Sequence, residues 1–141
     1  VQPDYAFFGQ KDAQQLIIIK KMVNDLNIPV EIIPCPIVRE ESGLALSSRN
    51  KYLSEEDKVQ ALALSKILNN IKQCYKKGIT DVEALKETAY QFLNEHHDLE
   101  YLEFMNEENL DEMKTADNQT RVFIACKVGG VRLIDNILLG E

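Results

Sequence analysis

The segment from Gly43 to Leu53 concentrates the side chains of this sequence that could hold a polyphosphate; it reads Gly-Leu-Ala-Leu-Ser-Ser-Arg-Asn-Lys-Tyr-Leu. The guanidinium of Arg49 is a planar group of donors that matches phosphate oxygens. Ser47 and Ser48 add hydroxyl donors on short side chains. The alternative is a polar linker that only caps the next helix, because Ser and Asn are common there for local hydrogen-bonding reasons. The other motifs and the elements around them decide between the two interpretations.

A second segment with phosphate-binding chemistry runs from Gly9 to Gln15, between a predicted strand and a predicted helix. In open α/β sheets, ligands lie at the carboxyl ends of the strands, where helix N-termini point. Gly9 would let a ligand approach the backbone and Lys11 could neutralise a phosphate, while the first-turn amides add positive partial charge. An ordinary turn followed by ordinary first-turn helix residues is the alternative for this segment.

The elements that must position these two segments begin with a strand–helix–strand unit. Residues 4–8 predict a short buried strand, residues 11–26 a helix, and residues 30–33 a second strand. Such a unit predicts parallel strands joined by a right-handed crossover. Pro34-Cys35-Pro36 is expected to end the second strand.

The chain after residue 53 begins with two predicted helices in sequence, with no strand between them. Ser54 and the acidic residues after it predict an N-terminal cap, and Gly78 closes a helix over residues 55–77. Thr80-Asp81-Val82-Glu83 fits a capping box that opens a second helix ending near His96. We interpret the adjacent pair His96-His97 as a helix terminus, because neighbouring residues on a helix do not face one site.

Three strands are predicted to complete this second part. Residues 99–105 form one, and the alternating apolar pattern of residues 122–128 forms the next. Gly129-Gly130 is a two-residue hairpin signal, after which residues 131–139 return. The second part is therefore expected to be two helices on a small antiparallel sheet.

Composition and charge exclude several classes of function. The chain has 141 residues, of which 45% are hydrophobic and 28% charged, as is usual for a soluble globular protein. The formal net charge is −7, most of it carried after residue 50, and an acidic surface argues against a nucleic-acid partner. No apolar run reaches the length of a membrane span.

The cysteines, histidines and first residues predict the compartment and the context. Cys35, Cys74 and Cys126 are widely spaced, fit no zinc or redox pattern, and are expected to be free thiols in a reducing cytoplasm. With only two histidines, no structural metal site is expected. The start at Val1 carries neither an initiator Met nor a signal peptide, and we expect a piece of a longer protein.

Five blocks, in this order and spacing, resemble the pantothenate synthetase (pantoate–β-alanine ligase) family. They are Gly9–Gln15, Val38-Arg39-Glu40, Gly43-Leu44-Ala45, Ser47–Leu53 and Arg132-Leu133-Ile134-Asp135-Asn136. The resemblance covers essentially the whole chain, but only the C-terminal half of the family's protein. It implies an α/β remnant over residues 1–50, the βαβ end of a Rossmann-like nucleotidyltransferase domain that binds ATP. A small α+β domain over residues 51–141 follows, with two helices on a three-stranded antiparallel sheet.

The resemblance also implies a reaction and a set of site residues. The family condenses pantoate with β-alanine through a pantoyl-adenylate, using ATP and releasing pyrophosphate and AMP. The implied ATP contacts are Gly9, Gln10, Lys11, Asp12, Val38, Leu46, Ser47, Ser48 and Arg49. Lys11, Ser47, Ser48 and Arg49 are the implied catalytic residues, and Gln15 the implied pantoate contact. Gln15 lies four residues after Lys11, so we expect both to project from one helical face.

The remaining expectations from the resemblance concern partners and departures. Mg²⁺ is expected only as the counter-ion of ATP, the partners are small molecules, and the full-length protein is expected to be a cytoplasmic homodimer. Gln10 stands where the family usually has Glu, and Leu46 where it usually has Met. The family's N-terminal half, with its His-bearing motif, is absent from this chain, so the chain alone is expected to be inactive.

Two other functions compete with this one. A different nucleotidyltransferase-type adenylating enzyme could use the same phosphate-binding logic at a helix N-terminus. A non-catalytic interaction domain, built on the helix–sheet part, would show no nucleotide affinity that depends on Arg49.

Overall fold

The computed structural model describes residues 1–141, and its elements follow the order predicted from the sequence. They are β1 (Tyr5–Gly9), α1 (Ala13–Asp25), β2 (Glu31–Cys35), α2 (Glu55–Lys76), α3 (Val82–Tyr90), β3 (His97–Asn106), β4 (Thr120–Val128) and β5 (Val131–Leu138). Short 3₁₀ turns, Gln10–Asp12 and Ser48–Tyr52, precede α1 and α2. The predicted fold class is confirmed: a βαβ unit is followed by two helices and an antiparallel sheet of order β3-β4-β5. None of the helices is long and apolar enough to cross a membrane.

The first sheet consists of β1 and β2, which run parallel with Tyr5 opposite Glu31 and Gly9 opposite Cys35. The expectation that the ladder stops before Pro34 is wrong, since Pro34 pairs opposite Phe8. A proline lacks one backbone donor, but β2 is an edge strand, where that donor is not needed for pairing.

Helix α1 is shorter than the predicted span of residues 11–26. It begins at Ala13, because Asp12 leaves helical geometry and its side chain caps the first turn. It ends at Asp25, and Asn27 adopts the left-handed conformation with φ of 49°, which Asn tolerates after a helix.

The starts of α2 and α3 are both fixed by side-chain caps. The hydroxyl of Ser54 accepts from the backbone N–H of Asp57 at 3.1 Å, as predicted. For α3 the predicted cap Thr80 is wrong: the carboxylate of Asp81 accepts from the backbone N–H of Ala84 at 3.0 Å. Asp is at least as good a cap as Thr, and the residue that captures the first-turn amide sets the start.

The end of α3 and the role of the histidine pair also differ from the prediction. The helix ends at Tyr90 instead of near His96, and His97 is the first residue of β3. The two nitrogens of the His97 ring lie 2.9 Å from the Gln60 carbonyl oxygen and 3.1 Å from the Asn94 backbone nitrogen. The ring therefore joins the start of β3 to α2 and to the turn before the strand.

The antiparallel sheet has β4 at its centre. The hairpin at Gly129-Gly130 is confirmed, with Val128 opposite Val131 and both glycines at positive φ, 57° and 77°. These are the conformations of a type I′ turn, which matches the twist of the strands it joins.

Both faces of this sheet are covered. Helices α2 and α3 pack on one face and form the main core, whose largest fully buried side chains include Leu64, Ile67, Leu68, Ile71, Leu85, Phe104, Val122 and Ile124. On the other face Phe123 packs against Ala13 and Ile17 of α1. Helix α1 therefore joins the βαβ unit to the second part of the chain.

The βαβ unit leaves much apolar surface uncovered. The prediction that the first strand is buried is wrong for this chain, since Tyr5 and Phe7 of β1 are exposed. Ile18 and Met22 of α1 and Leu26, which follows the helix, are exposed as well. An open, mostly apolar groove of about 390 Å³ lies between the sheet and α1. A single helix cannot cover both faces of a parallel sheet, which normally has both faces buried.

Candidate functional site

Lys11 lies in the 3₁₀ turn that follows β1, at the carboxyl end of the strand. Its side chain is half-buried, and burial lowers the pKa of its ammonium group; Asp135 acts in the opposite direction and Arg49 in the same direction. The main chains and side chains show the same arrangement: the Lys11 carbonyl accepts from Asn136 Nδ2 at 3.0 Å, and Arg49 donates to the Arg132 carbonyl at 3.3 Å, so both segments contact β5. The structure thus brings Lys11 from the first segment and Arg49 from the second to one place.

Gly9 ends β1 beside open space. Its backbone is extended, with φ of −71° and ψ of 137°, a conformation available to any residue. A Cβ placed on Gly9 would meet no atom within 4 Å. The protein itself therefore does not require glycine here, and the space next to Gly9 is open.

Asp12 and Gln15 are both exposed at the start of α1. The Oδ1 atom of Asp12 accepts from the Gln15 backbone N–H at 3.3 Å, and this is the only hydrogen bond of the carboxylate. The expectation that Lys11 and Gln15 share one helical face is wrong, because Lys11 lies in the 3₁₀ turn and Asp12, between them, is the cap of α1.

The chain from Val38 to Leu46 forms a tight loop that folds back on itself. Arg39 and Ala45 form an isolated antiparallel bridge, and the Leu46 N–H donates to the Val38 carbonyl at 2.8 Å. Gly43 turns the chain at φ of 94°. As a result the exposed side chains of Val38 and Leu46 belong to residues that are hydrogen-bonded neighbours.

Ser47, Ser48 and Arg49 form the start of the second 3₁₀ turn. The Ser47 hydroxyl oxygen accepts from the Arg49 backbone N–H at 3.2 Å, which leaves its proton available to donate. The Arg49 guanidinium donates through Nη1 to the Arg132 carbonyl at 3.3 Å and is otherwise exposed. The turn is well anchored because the buried Asn50 donates from Nδ2 to Glu40 Oε1 and to the Ala45 carbonyl, both at 3.1 Å.

Three residues next to this site were not predicted to take part in it: Arg39, Asp135 and Asn136. Arg39 forms a two-pronged ion pair with Asp135, and the Asn136 amide donates to the main chain of Gln10 and Lys11. The signal in the sequence was the polar pair Asp135-Asn136 within the otherwise apolar run of residues 133–139.

Comparison with known proteins places the chain in a family. The family model described as Pantoate-beta-alanine ligase matches residues 1–138. The chain belongs to the pantoate-beta-alanine ligase family. It is 50% identical over 143 residues to the pantothenate synthetase of Geotalea daltonii, a match that spans 100% of this chain and 51% of that protein. It is 46% identical over 141 residues to that of Caldicellulosiruptor bescii, which spans 99% of this chain and 50% of that protein.

Solved structures of pantoate-beta-alanine ligases have the same fold. The pantothenate synthetase of Thermus thermophilus superposes with a TM-score of 0.91 at 38% identity, over 100% of this chain and 51% of that one. The Francisella tularensis pantoate-beta-alanine ligase, complexed with beta-gamma ATP and beta-alanine, superposes with a TM-score of 0.67 at 32% identity. The match covers 99% of this chain and 45% of that one. The chain spans about half the length of the curated relatives it matches. The predicted family is confirmed, and the individual site residues stay predictions.

Proposed function

We propose that this chain provides the ATP-binding side of a pantoate–β-alanine ligase, whose reaction is ATP-dependent condensation of pantoate with β-alanine. The observation that carries the proposal is that the segments of Lys11 and Arg49 both contact β5, next to the open space at Gly9. Two cations drawn from distant segments around one open space suit a polyphosphate better than any neutral ligand. The family membership and the relative complexed with ATP and β-alanine support the same substrates.

In the first step a pantoate carboxylate oxygen attacks the α-phosphate of ATP, and pyrophosphate leaves. Lys11 and Arg49 stabilise the charge that develops on the α-phosphate and on the leaving group. Ser47 and Ser48 donate hydrogen bonds from their hydroxyl groups to phosphate oxygens. The β-alanine amine then attacks the pantoyl-adenylate carbonyl, and AMP leaves. No protein nucleophile is needed, so positioning of the substrates accounts for much of the rate.

The other proposed contacts hold the remaining parts of the substrates. Val38 and Leu46 offer adjacent exposed apolar side chains for the adenine ring. Asp12 accepts from a ribose hydroxyl with the oxygen that does not cap α1, and Gln15 binds pantoate with its exposed amide.

Gln10 and the Mg²⁺ counter-ion need separate treatment. Gln10 contributes through its backbone, since its carbonyl oxygen is already fixed by Asn136, and replacing the family's usual Glu then changes little. Mg²⁺ enters as the counter-ion of ATP and is held by the phosphate oxygens. The nearby carboxylates of Asp12 and Asp135 are already engaged, in the cap of α1 and with Arg39.

The test uses the complete gene product that carries these residues, assayed for pyrophosphate release from Mg-ATP with and without pantoate. We expect release only with pantoate, and pantothenate only after β-alanine is added. Pyrophosphate release that does not depend on pantoate would instead indicate another adenylating enzyme. Absence of any Mg-ATP binding would indicate an interaction domain. The cytoplasmic location and the homodimer belong to the same proposal.

A further inference from the structure

Strand β5 contacts all three segments that form the proposed ATP site. Its Arg132 carbonyl accepts from Arg49 at 3.3 Å. Its Asp135 carboxylate binds Arg39, at the base of the loop that carries Val38 and Leu46. The next residue, Asn136, binds the turn that carries Lys11. One strand of the second part is therefore the common support of segments that are far apart in the sequence.

Asn136 is 2% exposed, and each polar atom of its side chain has a partner. Its Nδ2 atom donates to the Gln10 carbonyl at 2.8 Å and to the Lys11 carbonyl at 3.0 Å. Its Oδ1 atom accepts from Arg121 Nη1 at 2.7 Å, and Arg121 Nη2 in turn donates to Glu107 Oε1 at 2.7 Å. The guanidinium fixes which end of the amide faces the turn, so the turn that carries Lys11 has one favoured position.

Asp135 fixes the second segment in a similar way. Its two carboxylate oxygens accept from Arg39 Nη1 and Nη2 at 2.7 and 2.9 Å, and Oδ1 also accepts from the Asn136 N–H at 2.8 Å. Arg39 Nη1 donates as well to the Gly43 carbonyl at 3.1 Å, so the ion pair also closes the loop. Two parallel charge-assisted hydrogen bonds set both distance and orientation.

We propose that Asp135 and Asn136 are positioning residues for the nucleotide: they hold the Lys11 turn and the Arg39–Arg49 region at a fixed separation on β5. Both side chains are buried and neither needs to touch the ligand. The inference rests on the proposed function for the identity of that ligand. Groups that must act on one phosphate chain lose much of their effect when they are displaced by about 1 Å, which can cost roughly 10²-fold in rate.

The decisive variant is Asn136→Asp in the complete gene product. It keeps the size of the side chain and an oxygen for Arg121, but replaces the two donors with an oxygen that faces two carbonyls. We expect kcat/KM for ATP to fall about 10–100-fold, with weaker Mg-ATP binding by calorimetry and faster amide exchange in residues 10–15. Asp135→Asn keeps the size of the side chain but removes its charge and one of the two oxygens that accept from Arg39. It should act in the same direction, and it replaces Asn136→Asp as the test if that variant does not fold.

A double-variant test separates positioning from general stability. If Asn136 acts through Lys11, then Asn136→Asp should cost less than about threefold in the Lys11→Ala background, because contacting residues are not additive. Ile124→Val, a core substitution on the opposite face of the same sheet, is the matched control. It should lower thermal stability and leave the ATP affinity unchanged.

The outcomes for the inference and for the proposed function are distinct. A wild type that binds Mg-ATP but does not release pyrophosphate with pantoate would overturn the ligase assignment. The positioning role would still be tested by comparing the ATP affinities of the variants with that of the wild type. If the wild type is active and both Asn136→Asp and Asp135→Asn bind ATP as tightly as the wild type, the positioning role alone would be overturned. Full additivity with Lys11→Ala would also overturn it.

Discussion

Arg49 donates from one guanidinium nitrogen to the Arg132 carbonyl, and the residue is otherwise exposed. We expect Arg49→Ala in the complete gene product to lower pantoate-dependent pyrophosphate release by about 10²–10³-fold, the usual loss for one preorganised donor to transition-state charge. Steady-state kinetics measure it, with Lys77→Ala as a control that removes an exposed cation at the end of α2. A loss below threefold in a folded variant would contradict the role of Arg49.

Gln15 presents a neutral amide at the start of α1. An amide suits hydroxyl and carboxylate partners better than a triphosphate. We therefore expect Gln15→Ala to raise the KM for pantoate far more than the KM for ATP, with Gln14→Ala on the neighbouring residue as the control. Equal changes in both constants would show that the pantoate role is wrong.

Lys11 gives the site a pH dependence. Burial lowers the pKa of its ammonium group from the ordinary value of 10.5; the Asp135 carboxylate opposes this effect, and the guanidinium of Arg49 adds to it. The cation that would bind phosphate is present below this lowered pKa and is lost as pH rises through it. We expect Mg-ATP affinity to decline in the alkaline range before an unperturbed lysine would titrate, and calorimetry over a pH series measures this. Lys11→Ala should bind more weakly and show no such decline; the same decline in that variant would assign it to another group.

At the scale of elements, the start of α3 offers a matched pair of substitutions. Asp81 supplies the cap, while the side chain of Thr80 has no hydrogen bond in the structure. Asp81→Ala should lower the free energy of unfolding by about 1 kcal/mol, the usual value of a lost N-cap. Thr80→Ala should change it little. Urea unfolding of both variants measures these changes. A larger loss of unfolding free energy for Thr80→Ala than for Asp81→Ala would support the predicted capping box instead.

The elements that could be predicted from the sequence are those with local causes. The apolar spacing of α2, its Ser54 cap and the Gly129-Gly130 turn are all encoded within a few residues. Two errors were local, since Asp12 and Asp81 are the caps that set the starts of α1 and α3, but the error at His97 came from a tertiary contact. His97 starts β3 because its ring binds the Gln60 carbonyl across 37 residues of sequence, and no local pattern reports that contact.

The site was predictable to the same extent. Residue types alone indicated both segments as candidates, and the structure places both in contact with β5. The supports of those segments were missed because they act over long sequence separations. The Arg39–Asp135 pair spans 96 residues and the Asn136–Gln10 bond spans 126. Periodicity describes one element at a time and contains no information about such pairs.

At the scale of the whole molecule, the two parts differ in how well they are covered. Strands β4 and β5 lie in the main core, whereas Tyr5 and Phe7 of β1 are exposed. For the 141-residue chain alone we expect strong hydrogen-exchange protection in residues 122–128 and 131–138, and weak protection in residues 5–8 and 30–33. Few buried contacts and exposed backbone make a segment open locally.

The same experiment tests where the autonomous unit begins, which we place near Tyr52. Leu44 and Leu53 already belong to the main core, so protection could extend back into the Arg39–Ala45 loop without contradicting a loose βαβ unit. Self-association through the bare sheet would raise protection only as concentration rises, and sedimentation provides that control. Equal protection of both regions in a monodisperse monomer would show that the first fifty residues are self-sufficient.

The central strand β4 constrains how this molecule can vary. Val122 and Ile124 point into the α2–α3 core, while Arg121 and Phe123, of the opposite parity, are buried on the other face by the Asn136 network and by α1. Lys127 is the one exposed residue of the strand. An ordinary surface strand can exchange every second residue freely, but β4 has no such neutral side. Substitutions on the face of the proposed nucleotide site would therefore also affect the packing of α2 and α3 behind it, so that changes on one face constrain changes on the other.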